Sequence, residues 1–151
     1  MSKPRNSKTA RPVDSPKGSL QGARLFRVVT ETATDGIITI DERSIILFVN
    51  KATERIFGYP ISEMMGREVT MLMPDYLRDV HRNAVGRYLQ TGEKHISWTA
   101  IKLRGLHRSG KEIPLEVSLG EHVHGKRRIF TGIVRDISER EQSEALLRQS
   151  E

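Results

Sequence analysis

The sequence predicts an α+β fold: a five-stranded antiparallel sheet with short helices on one face and a C-terminal helix. Three observations predict it. Two β-branched runs, residues 36–41 and 45–50, flank the short turn Glu42-Arg43-Ser44 and read as a hairpin. Segments with helical apolar spacing follow, and the last of them runs to Leu89. Three more strand-like runs then lead to Asp136. Strands and helices are thus segregated along the chain, the order expected of α+β rather than of a parallel sheet with crossover helices.

Each element has a local reason. Leu25, Phe26, Val28 and Val29 form a short apolar segment, expected as one or two helical turns leading to Thr34 and broken by Asp35-Gly36. The first hairpin strand is Gly36-Ile37-Ile38-Thr39-Ile40-Asp41, and the returning strand is Ile45 to Asn50. Lys51 to Phe57 places Ala52 and Ile56 on one helical face, and Gly58-Tyr59-Pro60 stops it. Ser62 is placed to cap a second short turn that ends at Gly66. Val69 to Pro74 reads as an irregular apolar link. Asp75 to Leu89 is the longest interior helix; Leu77, His81, Ala84 or Val85, and Tyr88 form its stripe, and Thr91-Gly92 ends it.

Strands are then expected at about Ile96–His107, Glu112–His122 and Arg127–Asp136, with turn chemistry from Ser109-Gly110 and His124-Gly125. In the middle strand Ile113, Leu115, Val117 and Leu119 alternate with Pro114, Glu116 and Ser118, as in a sheet covered on one side. Ser138 to Glu141 has the capping-box pattern, and Ala145, Leu146 and Leu147 carry a helix away from the sheet. That helix, 138–151, reads as the start of a coiled-coil-like linker.

Composition narrows the class. The chain has 151 residues, 36% of them hydrophobic and 29% charged, which suits one soluble globular domain. It has no cysteine. That excludes disulfides, a thiolate nucleophile, a Cys-ligated metal and a cysteinyl photoadduct. No apolar run approaches the roughly 18–20 residues that span a bilayer, and no secretory signal opens the chain, so a cytoplasmic location is expected. The net charge is +6, and most of it lies in residues 1–24, where six Lys and Arg face only Asp14. This Ser/Pro/Lys-rich stretch has too few apolar residues to fold and reads as a disordered, solubilising leader, with no specific nucleic-acid partner and no membrane partner.

The quoted motifs resemble a known family. Asp35-Gly36-Ile37, Asn50-Lys51-Ala52 and Phe57-Gly58-Tyr59 look like the first half of a PAS domain. His81, Arg87-Tyr88, Thr91-Gly92-Glu93, Arg108-Ser109-Gly110 and Ile113-Pro114-Leu115-Glu116 look like the second. Phe130-Thr131-Gly132 and Arg135-Asp136-Ile137-Ser138 are similar to its closing strand and linker signature. The resemblance implies a PAS sensor domain over 25–137, a ligand pocket between sheet and helices, and relay through the helix after Ser138. Within the family the sequence is most similar to haem-binding oxygen-sensor domains of FixL-type histidine kinases. That implies haem b, with His81 at the axial-ligand position and hence the metal ligand. Arg87 and His95 fall where residues contact propionates. Tyr88, on the face of His81, falls beside the porphyrin. Ile96, Val117 and Leu119 fall on the distal wall. The family's distal arginine aligns with Ile101, so a donor to bound oxygen is missing there; Arg104 points to the other strand face, and Trp98 and Thr99 are weak substitutes. Carbon monoxide and nitric oxide depend less on such a donor.

Structural readings stand beside these. His81 also suits a packed core histidine with one hydrogen bond, and Arg87 a surface ion pair. His122 and His124 lie two apart without a third ligand, and His107 reads as solvent-exposed. Trp98 reads as part of a sheet face for a partner more than as a ligand stack. Met64, Met65, Met71 and Met73 read as adaptable core. Asp35 and Asp41 read as turn residues, and Asp136 as part of the junction to the last helix. The sequence has no phosphate-binding glycine loop, ATP site or nucleophile–base pair, so no catalysis is expected of this chain. The expected partners are a homodimer through sheet and helices, an output such as a histidine kinase or diguanylate cyclase, and a gas or small molecule. The alternative is a cofactor-free dimerisation or docking module. A flavin light sensor ranks third, and a metabolite in the same pocket is a further alternative.

Overall fold

The computed structural model describes residues 16–94 and 97–150. The chain divides into two units, 1–32 and 33–151. In the first, helix α1 runs Pro16–Thr32. It is longer than the one or two turns expected from Leu25 and begins inside the stretch read as leader. Proline suits the first helical turn, and Leu20, Gln21, Ala23 and Arg24 are strong helix formers, which outweighs the low apolar content.

In the second unit, strands β1 (Gly36–Ile40), β2 (Ile46–Val49), β3 (Ile101–Leu106), β4 (Glu112–His124) and β5 (Arg127–Asp136) form one antiparallel sheet in the order β2-β1-β5-β4-β3. Between β2 and β3 lie α2 (Lys51–Phe57), α3 (Ile61–Met64), a 3-10 turn (Val69–Leu72) and α4 (Asp75–Thr91). This segment carries the chain from one edge of the sheet to the other. The helix α5 (Ser138–Gln149) follows β5. Among the described residues no helix is long and apolar enough to cross a membrane.

The sheet's inner face is set by the pleat. Ile38, Ile113, Leu115, Val117 and Val134 are buried, together with Ile46 and Val49 of β2. Phe57, Met64, Val69 and Leu72 close this core from the helical side. Gly105 makes the closure possible: a Cβ there would lie 2.6 Å from a Leu115 methyl and 2.9 Å from the Phe57 ring. The edge strand β2 is covered, because Ile46 N–H donates to Arg67 and the Ser44 carbonyl accepts from Val69.

Three local expectations differ from the structure. Ser62 caps nothing; α3 follows Pro60, whose fixed φ pre-forms the turn, and the Ile61 N–H donates to the Glu54 carboxylate at 2.7 Å. Ser138 makes no capping box. Instead Asp136 accepts from the Ser138 N–H at 2.9 Å and from its hydroxyl, so the carboxylate starts α5. The strand expected from Ile96 begins only at Ile101. Ala100 adopts φ +54, a left-handed conformation that interrupts the ladder, and its N–H turns to the Ser118 hydroxyl.

Asn50 ties the first elements together. Its Oδ1 accepts from Ile37 N at 2.9 Å and from the Thr53 hydroxyl at 2.8 Å, and its Nδ2 donates to Asp35 O at 3.1 Å. It also accepts from Thr53 N and so caps α2. Asn50→Ala orphans these buried groups, and we expect urea unfolding to show a loss of about 2–4 kcal/mol. A loss under about 0.5 kcal/mol would contradict this role.

Candidate functional site

The site is built around α4. This 17-residue helix has no buried residue, and its Tyr88 end meets the inner face of the sheet at Glu121 and Phe130. It is held by polar contacts along its length. Tyr76 donates to Glu112 at 2.6 Å. Arg78 Nε donates to the Met73 carbonyl at 3.1 Å. Arg82 reaches Glu68 at 2.8 Å. Tyr88 donates to Glu121 at 2.9 Å. The C-terminal end also packs through aromatic rings: Tyr88 lies 5.0 Å from Trp98 and 6.1 Å from Phe130 by centroids.

His81 holds the middle. Its Nε2 shares a 2.9 Å hydrogen bond with the Ser44 hydroxyl, in the turn between β1 and β2. Ser44 is buried and has φ +64, so a non-glycine residue is kept in a left-handed turn. Asp41 supports that turn, accepting from Arg43 N and Ile45 N. Burial lowers the His81 pKa below its usual 6.5; Glu68 opposes this and Arg82 adds to it. The imidazole is therefore neutral near pH 7. The hydrogen bonds from Arg82 hold the Glu68 carboxyl down at about 2.

Opposite α4 the inner face is incompletely covered. Ile101 pairs with the buried Val117, and Leu103 with the buried Leu115, so Ile101 and Leu103 share the inner face. Leu103 is 40% exposed and Leu119, two residues along β4 from Val117, is 38% exposed. His81 is thus bonded toward the turn between β1 and β2, while Leu103 and Leu119 leave apolar surface exposed on the inner face.

The expected site residues distribute as follows. His81 bonds Ser44, Tyr88 bonds Glu121 of β4, and Ile101, Val117 and Leu119 lie on the inner face of β3 and β4. Arg87 is exposed on α4, away from it. His95 and Ile96 lie outside the described residues. Arg104 is on the outer face and bonds Glu112 at 3.4 Å, so it supplies nothing beside Ile101. Trp98 is not free for a partner, because Tyr88 and Phe130 occupy its faces together with Lys94, whose amine is 4.0 Å from the ring. His107 is half-buried rather than exposed: its ring packs on Gly58, and its Nδ1 accepts from Ser109 N at 3.0 Å. His122 and His124 stack at 6.3 Å. Among the described residues no cluster of three or more His, Cys, Asp or Glu could hold a metal. Asp35 does more than turn the chain; it takes a forked ion pair from Arg135 at 3.0 and 3.2 Å. Sequence reasoning missed Ser44, since a serine in a hairpin turn has an ordinary local explanation.

The donor type and wall chemistry fit a haem. His81 Nε2, the donor at the expected ligand position, is bonded to Ser44, so holding an iron there would require exchanging that hydrogen bond.

Comparison with known proteins places the architecture. Residues 24–137 match the PAS fold. The chain belongs to the PAS family. The sensor protein FixL of Bradyrhizobium diazoefficiens is 36% identical over 124 residues, covering 82% of this chain and 25% of FixL. The cell-division control histidine kinase PdhS of Brucella ovis is 29% identical over 127 residues, covering 79% of this chain and 11% of that kinase. The PAS domain of an HTR-like protein from Haloarcula marismortui aligns with a TM-score of 0.61 at 25% identity, covering 80% of this chain and 96% of that domain. The chain is a PAS sensory domain related to sensor histidine kinases, and it spans a quarter or less of the FixL and PdhS chains.

The lowered pKa of His81 has a defined pH consequence. The unfolded chain binds the proton more readily than the fold does, so the contribution to stability is complete above pH 6.5 and is lost as pH falls through the lower folded value. Urea midpoints measured across this range should fall below pH 6.5, with less fall in His81→Gln. The Glu68 loss lies lower, between 4.5 and about 2. Equal slopes in both proteins above pH 5 would contradict the assignment.

Proposed function

We propose that this domain is the ligand-sensing module of a longer signalling protein, with haem b as the ligand and a diatomic gas as the signal. The observation that carries this reading is α4 itself: a helix without buried residues that bears a histidine whose desolvation favours the neutral form, in a domain whose inner face leaves Leu103 and Leu119 exposed. His81 would hold the haem iron, Tyr88 would pack beside the ring, and Ile101, Val117 and Leu119 would supply apolar surface, with Ile96 assigned there by the resemblance alone. By the same resemblance Arg87 and His95 would serve the propionates, the Arg87 guanidinium reaching out on its long stem. When bound, the haem would supply an iron at which the gas binds. Ile101 offers no hydrogen bond there, which favours carbon monoxide or nitric oxide over oxygen.

The relay runs to α5. Arg140 pairs with Glu116 at 2.9 Å, and Arg104 lies 4.0 Å from Glu141, so the first turns of α5 are tied to β3 and β4. These strands carry the distal wall, and movement there reaches α5 directly. Leu146 and Leu147 are exposed on α5, which suits pairing in a homodimer and continuation toward a histidine kinase or diguanylate cyclase. The domain itself is read as non-catalytic and cytoplasmic.

The bond between His81 and Ser44 favours a second reading, a cofactor-free docking or dimerisation module in which His81 is a structural latch. One experiment separates the two. The protein expressed with a haem precursor should show a strong Soret band that collapses in His81→Ala. A colourless, folded dimer would instead support docking.

A further inference from the structure

A cleft lies on the flank of α4. Arg78 and Arg82, one helical turn apart, line it with Arg67 and Glu68 from the segment before the 3-10 turn. Its volume is about 590 Å³, and it is open to solvent. Tyr59, Met71 and Leu106 supply its apolar surface. None of the sensor residues discussed above lines it.

The charges there do not cancel. Glu63 at the rim is 3.5 Å from Arg108, whose guanidinium also lies over the Tyr59 ring at 5.5 Å. Glu68 is committed to Arg82. The remaining carboxylate partners are weak. Asp75, which pairs with Arg78, is 92% exposed, and Asp79, which pairs with Arg82, is 90% exposed. Such exposed pairs are worth about 0–1 kcal/mol and do not hold a guanidinium in place against a better partner. The exposed Arg67 side chain makes no ion pair or hydrogen bond among the described residues. Three guanidinium groups and two carboxylates line the cleft, a net of +1, and Glu63 is engaged by Arg108, which does not line it. Guanidinium groups recognise oxyanions through paired N–H donors, and the apolar surface beside them suits a hydrocarbon or aromatic body.

We propose that this cleft is a second ligand site, taking a small organic oxyanion. Its acidic group, a carboxylate or phosphate, sits among Arg67, Arg78 and Arg82, and its apolar part rests on Tyr59, Met71 and Leu106. An anion here competes with Glu68 for Arg82, the residue next to His81. The segment carrying Glu68 also bonds the His81 latch, since Val69 N donates to the Ser44 carbonyl at 2.8 Å. The site is therefore placed to modulate the sensory helix, but its binding does not depend on haem.

Calorimetric titration of the full chain at low salt tests this, with phenyl phosphate, benzoate, inorganic phosphate and benzyl alcohol as probes. One of the two aromatic anions should bind saturably and about tenfold or more tighter than inorganic phosphate, with benzyl alcohol silent. Which aromatic anion wins distinguishes phosphate from carboxylate. Arg67→Ala, at an exposed side chain, should weaken binding about tenfold, and Arg82→Gln should do the same with the urea midpoint as its folding control. Arg55→Gln, on the exposed face of α2, should leave binding unchanged. Absence of saturable binding overturns the proposal. So does binding that survives Arg67→Ala, or that Arg55→Gln weakens equally.

Discussion

A single buried amide, that of Asn50, joins β1, α2 and the turn that precedes β1. It fills the donor and acceptor needs of four backbone or hydroxyl groups from a side chain that is itself buried. The direction in which α2 leaves β2 follows from that cap. So does the path of the chain across the inner face, because α2, α3 and the 3-10 turn must then close the core with Phe57, Met64 and Leu72. Only after those contacts are made does α4 begin, and the apolar surface needed to seal the domain is already spent. What remains above β3 and β4 is a helix fastened by side-chain polar contacts.

That division of labour gives the domain a rigid half and a responsive half. The sheet and short helices are stabilised by burial, which is non-directional and cooperative. The contacts of α4 are exposed or half-buried, each individually modest, and exchangeable for contacts with a ligand. His81 is the sharpest case. Its hydrogen bond to Ser44 connects the helix to a left-handed turn, and that turn leads into β2 and bonds the segment ahead of the 3-10 turn. A ligand that takes the imidazole releases the turn, and a ligand that leaves it alone keeps helix and turn together.

Much of the fold was legible because its signals are local. Gly36 to Ile40, Lys51 to Phe57 and Arg127 to Asp136 have periodicity, caps or turns that agree with the final packing. The family motifs were legible for the same reason: Asp35, Asn50 and Arg135 form the frame rather than the binding site. The start of β3 was hidden because its cause, a left-handed Ala100 held by Ser118 across the ladder, has no sequence signature. The site was legible only in part. The helical stripe placed His81 and Tyr88 on one face, but nothing local pairs His81 with Ser44 or Tyr88 with Trp98 and Phe130. The arginines beside α4 were equally silent, since Arg67 reaches its neighbours only through tertiary folding.

The central claim is that α4 is attached by exchangeable polar contacts while the sheet is locked by burial. Native-state hydrogen exchange measures this directly, residue by residue. The account predicts that the interior amides of α4 open at a free energy well below that of β1, β4 and β5. Amides of α4 that exchange only with global unfolding, as slowly as those of β1 and β5 in the ligand-free domain, would contradict it.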